Sequence, residues 1–148
     1  MVCAILMGPL TVPHAHGRYS DQQIRAVETN DEVELNRIRD QEINQLRIVL
    51  GRRDVGNRRP DLLLRLAELY IEKYRHYFLK ENEVHQALLK EGRKPGKVDH
   101  TRSQTYLQSA TNSCLAILKS KVRFSRMDQV YYFLGYNADE LERRQEAI

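Results

Sequence analysis

Residues 60–70 read Pro-Asp-Leu-Leu-Leu-Arg-Leu-Ala-Glu-Leu-Tyr, and Leu63, Leu66, Ala67 and Tyr70 within them decide the fold class. The steps of three and four continue through Tyr74 and Tyr77, and Val84 and Leu88 prolong the seam toward Lys90. Side chains spaced in this way share one face of an α-helix. Pro60 suits a first helical turn because its missing N–H has no intrahelical partner there. Asp61 adds a negative charge near the positive end of the helix dipole. Gly92 and Pro95-Gly96 then end the helix. The small Ala67 between bulky residues lets a neighbouring helix approach closely. Tyr131, Leu134 and Gly135 repeat the pattern of a large residue, then Leu, then a small one.

Working outward, Ser20 to Leu50 shows apolar residues at helical steps, including Ile24, Val27, Val33, Ile43, Leu46 and Leu50. Ser20 or Asp21 can cap this segment, and Glu28-Thr29-Asn30-Asp31 is a point where it divides in two. Gly51 is a plausible stop, followed by a basic connection from Arg52 to Arg59. Thr101-Arg102-Ser103-Gln104 fits a capping box at the start of a third helix. That helix carries Tyr106, Leu107, Ala110, Cys114, Ile117 and Leu118 on one face. Val122 and Phe124 are expected to tuck inward at the next turn. Ser125 is the expected cap of a last helix through Val130, Tyr131, Phe133 and Leu134 toward Leu141. No segment sustains the period-two alternation of a strand. The expected fold is all-α with about four to five helices.

The chain has 148 residues, 41% hydrophobic and 30% charged, enough for one domain with a real core. Its net charge is +4 and its pI about 9.1. Lys and Arg gather at Arg52, Arg53, Arg58 and Arg59, at Lys90, Arg93, Lys94 and Lys97, and at Lys119, Lys121, Arg123 and Arg126. All three clusters fall at helix ends, where cations offset unpaired carbonyls; a patch for nucleic acid or anionic membrane is the sharper alternative. Of the two cysteines, Cys114 reads as a small core residue, and neither a disulfide framework nor zinc-ligand spacing is present. The opening MVCAILMGPLTVP, residues 1–13, resembles a signal-peptide core without its basic leader. Residues 1–17 are therefore expected to be a remnant signal peptide or a disordered tail. No segment has the roughly 20 apolar residues a spanning helix needs.

At Leu63, Leu66, Ala67 and Tyr70, and again at Tyr131, Leu134 and Gly135, the chain resembles a tetratricopeptide repeat protein. Ala110, Cys114 and Ile117 are similar to the spacing of that family's second helix. A regular unit is 34 residues, whereas Leu63 and Tyr131 lie 68 apart. The layout is thus an N-terminal helical region at 18–58 and a repeat-like domain at 59–148. The domain comprises one enlarged unit, 60–124, and part of a second, 125–148. The resemblance implies antiparallel helix pairs of α-solenoid type, packed through the residues just named. It implies a concave lining of Asp61, Leu64, Glu68, Ile71 and Glu72, with Gln129, Tyr132, Tyr136, Asp139 and Glu140. For Leu64 and Ile71, burial against the N-terminal helix is an equal alternative. A lone first helix leaves its apolar face uncovered, so either further units follow or the last helix caps the domain.

Enzyme chemistry finds little support. His14 and His16 lack a third metal ligand, and Glu81 with His85 one turn apart reads as an exposed pair. His100 belongs to a turn beside Asp99. No phosphate loop, nucleophile elbow or H-E-x-x-H occurs. Tyr70, Tyr74 and Tyr77 follow the seam, leaving Tyr132 and Tyr136 as the tyrosines expected to be exposed. The expected function is a non-catalytic scaffold that presents a helical groove to a protein or peptide. No catalytic or metal-ligating residue, no cofactor and no small-molecule substrate is expected, and nucleic acid is not the expected partner. The resemblance extends to bacterial envelope proteins of this class, which places the chain in the periplasm or envelope, with the cytoplasm as the alternative. A self-associating assembly subunit and a basic module for nucleic acid or anionic lipid are the rival functions.

Overall fold

The computed structural model describes residues 18–146, with side chains up to Glu142. The order is α1 (Asp21–Val27), α2 (Asn30–Leu50), a 3-10 segment (Arg53–Arg58), α3 (Arg59–Lys90), α4 (Thr101–Lys119) and α5 (Met127–Glu146). No strand occurs among the described residues, so the all-α class holds. The signal-like opening, Cys3, His14 and His16 lie outside the described residues.

The division between α1 and α2 follows from two capping boxes in close succession. The Ser20 side chain accepts from the Gln23 amide while the Gln23 side chain accepts from the Ser20 amide. Thr29 and Glu32 do the same for α2. Thr29 thus opens a second helix two residues after the first has ended.

The long helix α3 has 32 residues, about 48 Å at 1.5 Å per residue; α1, α2 and α4 pack on it, while α5 packs chiefly on α4. α2 runs antiparallel to it, since Glu32 meets Lys80, Asn36 meets Tyr77 and Glu42 meets Arg65. α1 continues that line, with Glu28 on His76 and Tyr19 on His85. α4 returns antiparallel on another side, pairing Glu81 with Ser103 and Tyr77 with Tyr106. α5 runs back along α3, with Arg126 on Glu68 and Glu140 on Tyr74.

The apolar interior has three parts. Leu64, Ala67, Cys114, Ile117 and Val130 join α3, α4 and α5, closed at one end by Phe124 and Met127. Ile43, Leu50, Leu66 and Leu69 join α2 to α3. Tyr19, Ile24, Tyr77 and Val84 tie down α1. Cys114 is fully buried, and burial pushes its thiol up to about 11. Phe124 tucks inward as its sequence setting suggests, but Val122 does not, being 48% exposed.

The helix starts depart from the sequence reading at two places. Helix α5 begins at Met127 and closes its first turn on the Arg126 carbonyl, so Ser125 falls short of the cap. At α4 the Thr101 capping box does not form. Thr101 already stands inside the helix, and no side chain of the N-cap residue, His100, reaches its amides. The buried Glu81 of α3 takes over that task. Its carboxylate accepts from the Ser103 amide at 3.1 Å and the Ser103 hydroxyl at 2.6 Å. A negative group at a helix N-terminus satisfies an orphan N–H and meets the dipole favourably. Glu81→Ala should therefore cost about 1–3 kcal/mol, read as a lower urea midpoint with α4 amides losing hydrogen-exchange protection first.

Candidate functional site

The lining expected of a concave groove does not assemble. On α3, Leu64 is fully buried between Ala67, Cys114 and Val130, against α4 and α5 and not against the N-terminal helices. Ile71 is 3% exposed. Glu68 is held by Arg65 and Arg126, and Glu72 by Arg39 of α2 at 2.8 Å. Asp61 alone of the α3 set is exposed. The cause is packing: α2 covers one side of α3 while α4 and α5 cover others, so the stretch of α3 from Leu64 to Glu72 keeps no open concave face.

Helix α5 has the opposite character. Val130 and Asn137 are fully buried, with Phe133 and Leu134 half-buried beside them. Asn137 donates to the Thr111 hydroxyl of α4. This sets the outward face as Asp128, Tyr131, Tyr132, Gly135, Ala138, Asp139 and Glu142, all exposed at steps of three and four. Tyr131 and Tyr132 are 60% and 68% exposed. Tyr131 therefore does not pack as the repeat pattern expects, because the helix is rotated to bury Val130. Among the described residues nothing lies against Gly135: a Cβ added there would meet no atom within 4 Å. Tyr136 is half-buried, its ring 5.5 Å from the Arg75 guanidinium. Gln129 accepts from Arg126, and Glu140 accepts from the Tyr74 hydroxyl at 2.6 Å.

A buried polar seam along α3 was not anticipated from the sequence. The Lys73 ammonium lies 2.6 Å from Asp40, 5.0 Å from the Tyr77 ring centre and 5.2 Å from that of Tyr106. Tyr77 and Tyr106 are stacked, and burial, then Tyr77, raises the Tyr106 hydroxyl above its ordinary range. Lys80 contacts Glu32, Glu83 and the Val27 carbonyl. The hydrogen bond from Lys80, then that from the Thr29 amide, lowers the Glu32 carboxyl to about 2. His76 meets Glu28 at 2.7 Å, while His85 meets the Tyr19 hydroxyl at 3.1 Å. Glu81 and His85 are thus buried, each with its own partner, and are not the exposed pair their spacing suggests. His100 sits in the turn and bonds Glu81.

Every polar group of this seam is matched to a neighbour that fastens α1, α2 or α4 to α3, which makes it architecture. Among the described residues no three His, Cys, Asp or Glu converge as a metal site requires. None of the described helices is long and apolar enough to cross a membrane. A shallow groove of about 450 Å³ lies between Val27 and the Leu79–Ala87 side of α3, with Asn82 and Gln86 along it. Comparison with protein-family models, with curated proteins and with solved structures finds no match. Among the described residues the outer side of α5 carries the two most exposed aromatic rings, Tyr131 and Tyr132.

The seam makes stability depend on pH through His76. Burial, with Lys73 and Lys80 nearby, lowers its pKa below 6.5 despite the opposing pull of Glu28. The unfolded imidazole takes up a proton near 6.5 while the folded one resists it. The contribution is therefore complete above that pH and is lost as pH falls below it. Urea midpoints should fall between pH 6.5 and 5 in the native chain and fall less in His76→Gln; equal slopes would contradict this assignment.

Proposed function

We propose that this chain is a non-catalytic helical module that docks a helical segment of a protein partner on the outer face of α5. The observation that carries the reading is the pair of exposed tyrosines beside the open Gly135. Tyrosines supply large contact area at low rotamer cost and are enriched among residues that dominate binding. A glycine at the centre of the face lets the incoming helix approach closely, because axial separation follows the size of side chains at the crossing. Asp128, Asp139 and Glu142 bracket the face and favour a partner with basic flanks.

The resemblance to tetratricopeptide repeats supports the same face. In that family the small residue of a first helix receives the next helix; Gly135 holds that place in the pattern of Tyr131, Leu134 and Gly135 and lies on the exposed face, while Leu134 turns to the core. Units of this kind bury their apolar surface by stacking, which suits the exposed outer face of α5 to receiving a helix. The groove reading is narrowed to this one helix, since Leu64 and Ile71 of the α3 half are buried and Glu68 and Glu72 are held by arginines.

A photo-crosslinking amino acid placed at Tyr132 in the purified chain tests the proposal in extract of the source cells. It should join a discrete protein, and adding Gly135→Trp should abolish that product while leaving circular dichroism unchanged. Crosslinking that survives Gly135→Trp would contradict the reading.

A further inference from the structure

The topology brings two distant basic segments to one end of the bundle. Arg59 of α3 donates to the Leu50 carbonyl at the close of α2, which fixes the 51–61 turn there. Leu63 and Leu64, one turn into α3, pack with Leu118, Phe124 and Met127, which brings the 119–128 turn to the same end. Together the two turns hold Arg52, Arg53, Arg58, Arg59, Lys119, Lys121, Arg123 and Arg126 against only Asp54, Asp61 and Asp128. That excess is larger than the +4 of the whole chain.

Six of these eight cations differ from the paired ones that join the helices. Arg39, Arg65, Lys73, Lys80 and Arg102 are each engaged by a carboxylate. Among the described residues no ion pair reaches Arg52, Arg53, Arg58, Lys119, Lys121 or Arg123, and all six are exposed. Concentrating like charge costs stability through repulsion, and an external polyanion relieves it. Two large aliphatic side chains stand among them: Ile48 in the last turn of α2, 64% exposed, and Val122 between Lys121 and Arg123, 48% exposed. Lys121 adopts φ 53°, a left-handed turn at the start of the loop that holds Val122.

Cations mixed with exposed aliphatic side chains on helix ends match the interface of an anionic bilayer. Headgroup phosphates attract the Lys and Arg, while the boundary region accepts the aliphatic groups. Nucleic acid would use the charge but leave Ile48 and Val122 without a role, and the one aromatic of these two turns, Phe124, packs into the core and offers no stacking face. We propose that this end of the bundle is a peripheral membrane-binding surface for anionic phospholipid, engaged through the 51–61 and 119–128 turns together with Ile48 and Val122. The surface adjoins the outer face of α5 at Asp128, and the proposal does not depend on that face.

Vesicle flotation of the full chain tests this, using phosphatidylcholine alone and phosphatidylcholine with about 30% phosphatidylglycerol. The chain should float with the anionic vesicles only, and less as salt rises. Reversal of one turn (Lys119→Glu, Lys121→Glu, Arg123→Glu) or the other (Arg52→Glu, Arg53→Glu, Arg58→Glu) should weaken binding about a hundredfold. Val122→Asp should weaken it by about tenfold at unchanged circular dichroism. The reversal Lys90→Glu, Lys94→Glu at the opposite end should leave binding intact. Absence of flotation, equal loss from the opposite-end reversal, or displacement from vesicles by a mixed-sequence single-stranded oligonucleotide with no effect of Val122→Asp would overturn the proposal.

Discussion

One ammonium group ties three helices together. Lys73 is fully buried, and a charge without water must be paired or it destabilises the fold by several kcal/mol. Its partners come from different elements: the Asp40 carboxylate from α2, the Tyr77 ring from its own helix and the Tyr106 ring from α4. Asp40 is half exposed and reaches in from the rim, so the charge is neutralised where water still screens part of the cost. Cation–π attraction to the stacked rings adds about 1–2 kcal/mol in a desolvated setting. The positions of α2 and α4 around α3 are both set by what Lys73 needs. The same logic repeats along the seam, with Lys80 holding Glu32, His76 holding Glu28 and Glu81 capping α4.

Helix α3 therefore has two kinds of contact. Near its N-terminal half, Leu64, Leu66, Ala67 and Leu69 make dry contacts with α2, α4 and α5. Farther along, buried polar groups each require one specific partner. Apolar packing tolerates rotation and sliding, whereas a hydrogen-bonded charge does not, so the polar half fixes the register of the bundle. With α3 enclosed in this way, surfaces available to other molecules are moved outward, to the last helix and to the turns at the basic end.

The helices were legible because Leu63, Leu66, Tyr70 and Tyr74, and likewise Leu107, Ala110, Cys114 and Ile117, follow the helical period, and Pro60 and Gly92 punctuate it. The polar stretch Glu28-Thr29-Asn30-Asp31 marked the break between α1 and α2, and the structure puts the cap at Thr29. The cap of α4 was not legible, because its donor is Glu81, 22 residues away from Ser103 and brought close only by the return of the chain. Lys73, His76 and Lys80 continue the seam at steps of three and four, yet charged residues there read as a solvated face. Only the approach of Asp40, Glu28 and Glu32 makes burial tolerable, and pairings between helices leave no local trace. The orientation of α5 was misjudged for a similar reason. Tyr131 and Val130 are adjacent, either could face inward, and the space between α3 and α4 admits Val130.

The ammonium of Lys73, and not merely its aliphatic stem, holds the bundle together. A double-mutant cycle in urea unfolding, combining Lys73→Met with Tyr106→Leu, separates the two because methionine keeps the packing and removes the charge. This role of the ammonium predicts a coupling of about 0.5–2 kcal/mol between the two positions. Additive effects, with Lys73→Met as stable as the native chain, would contradict it.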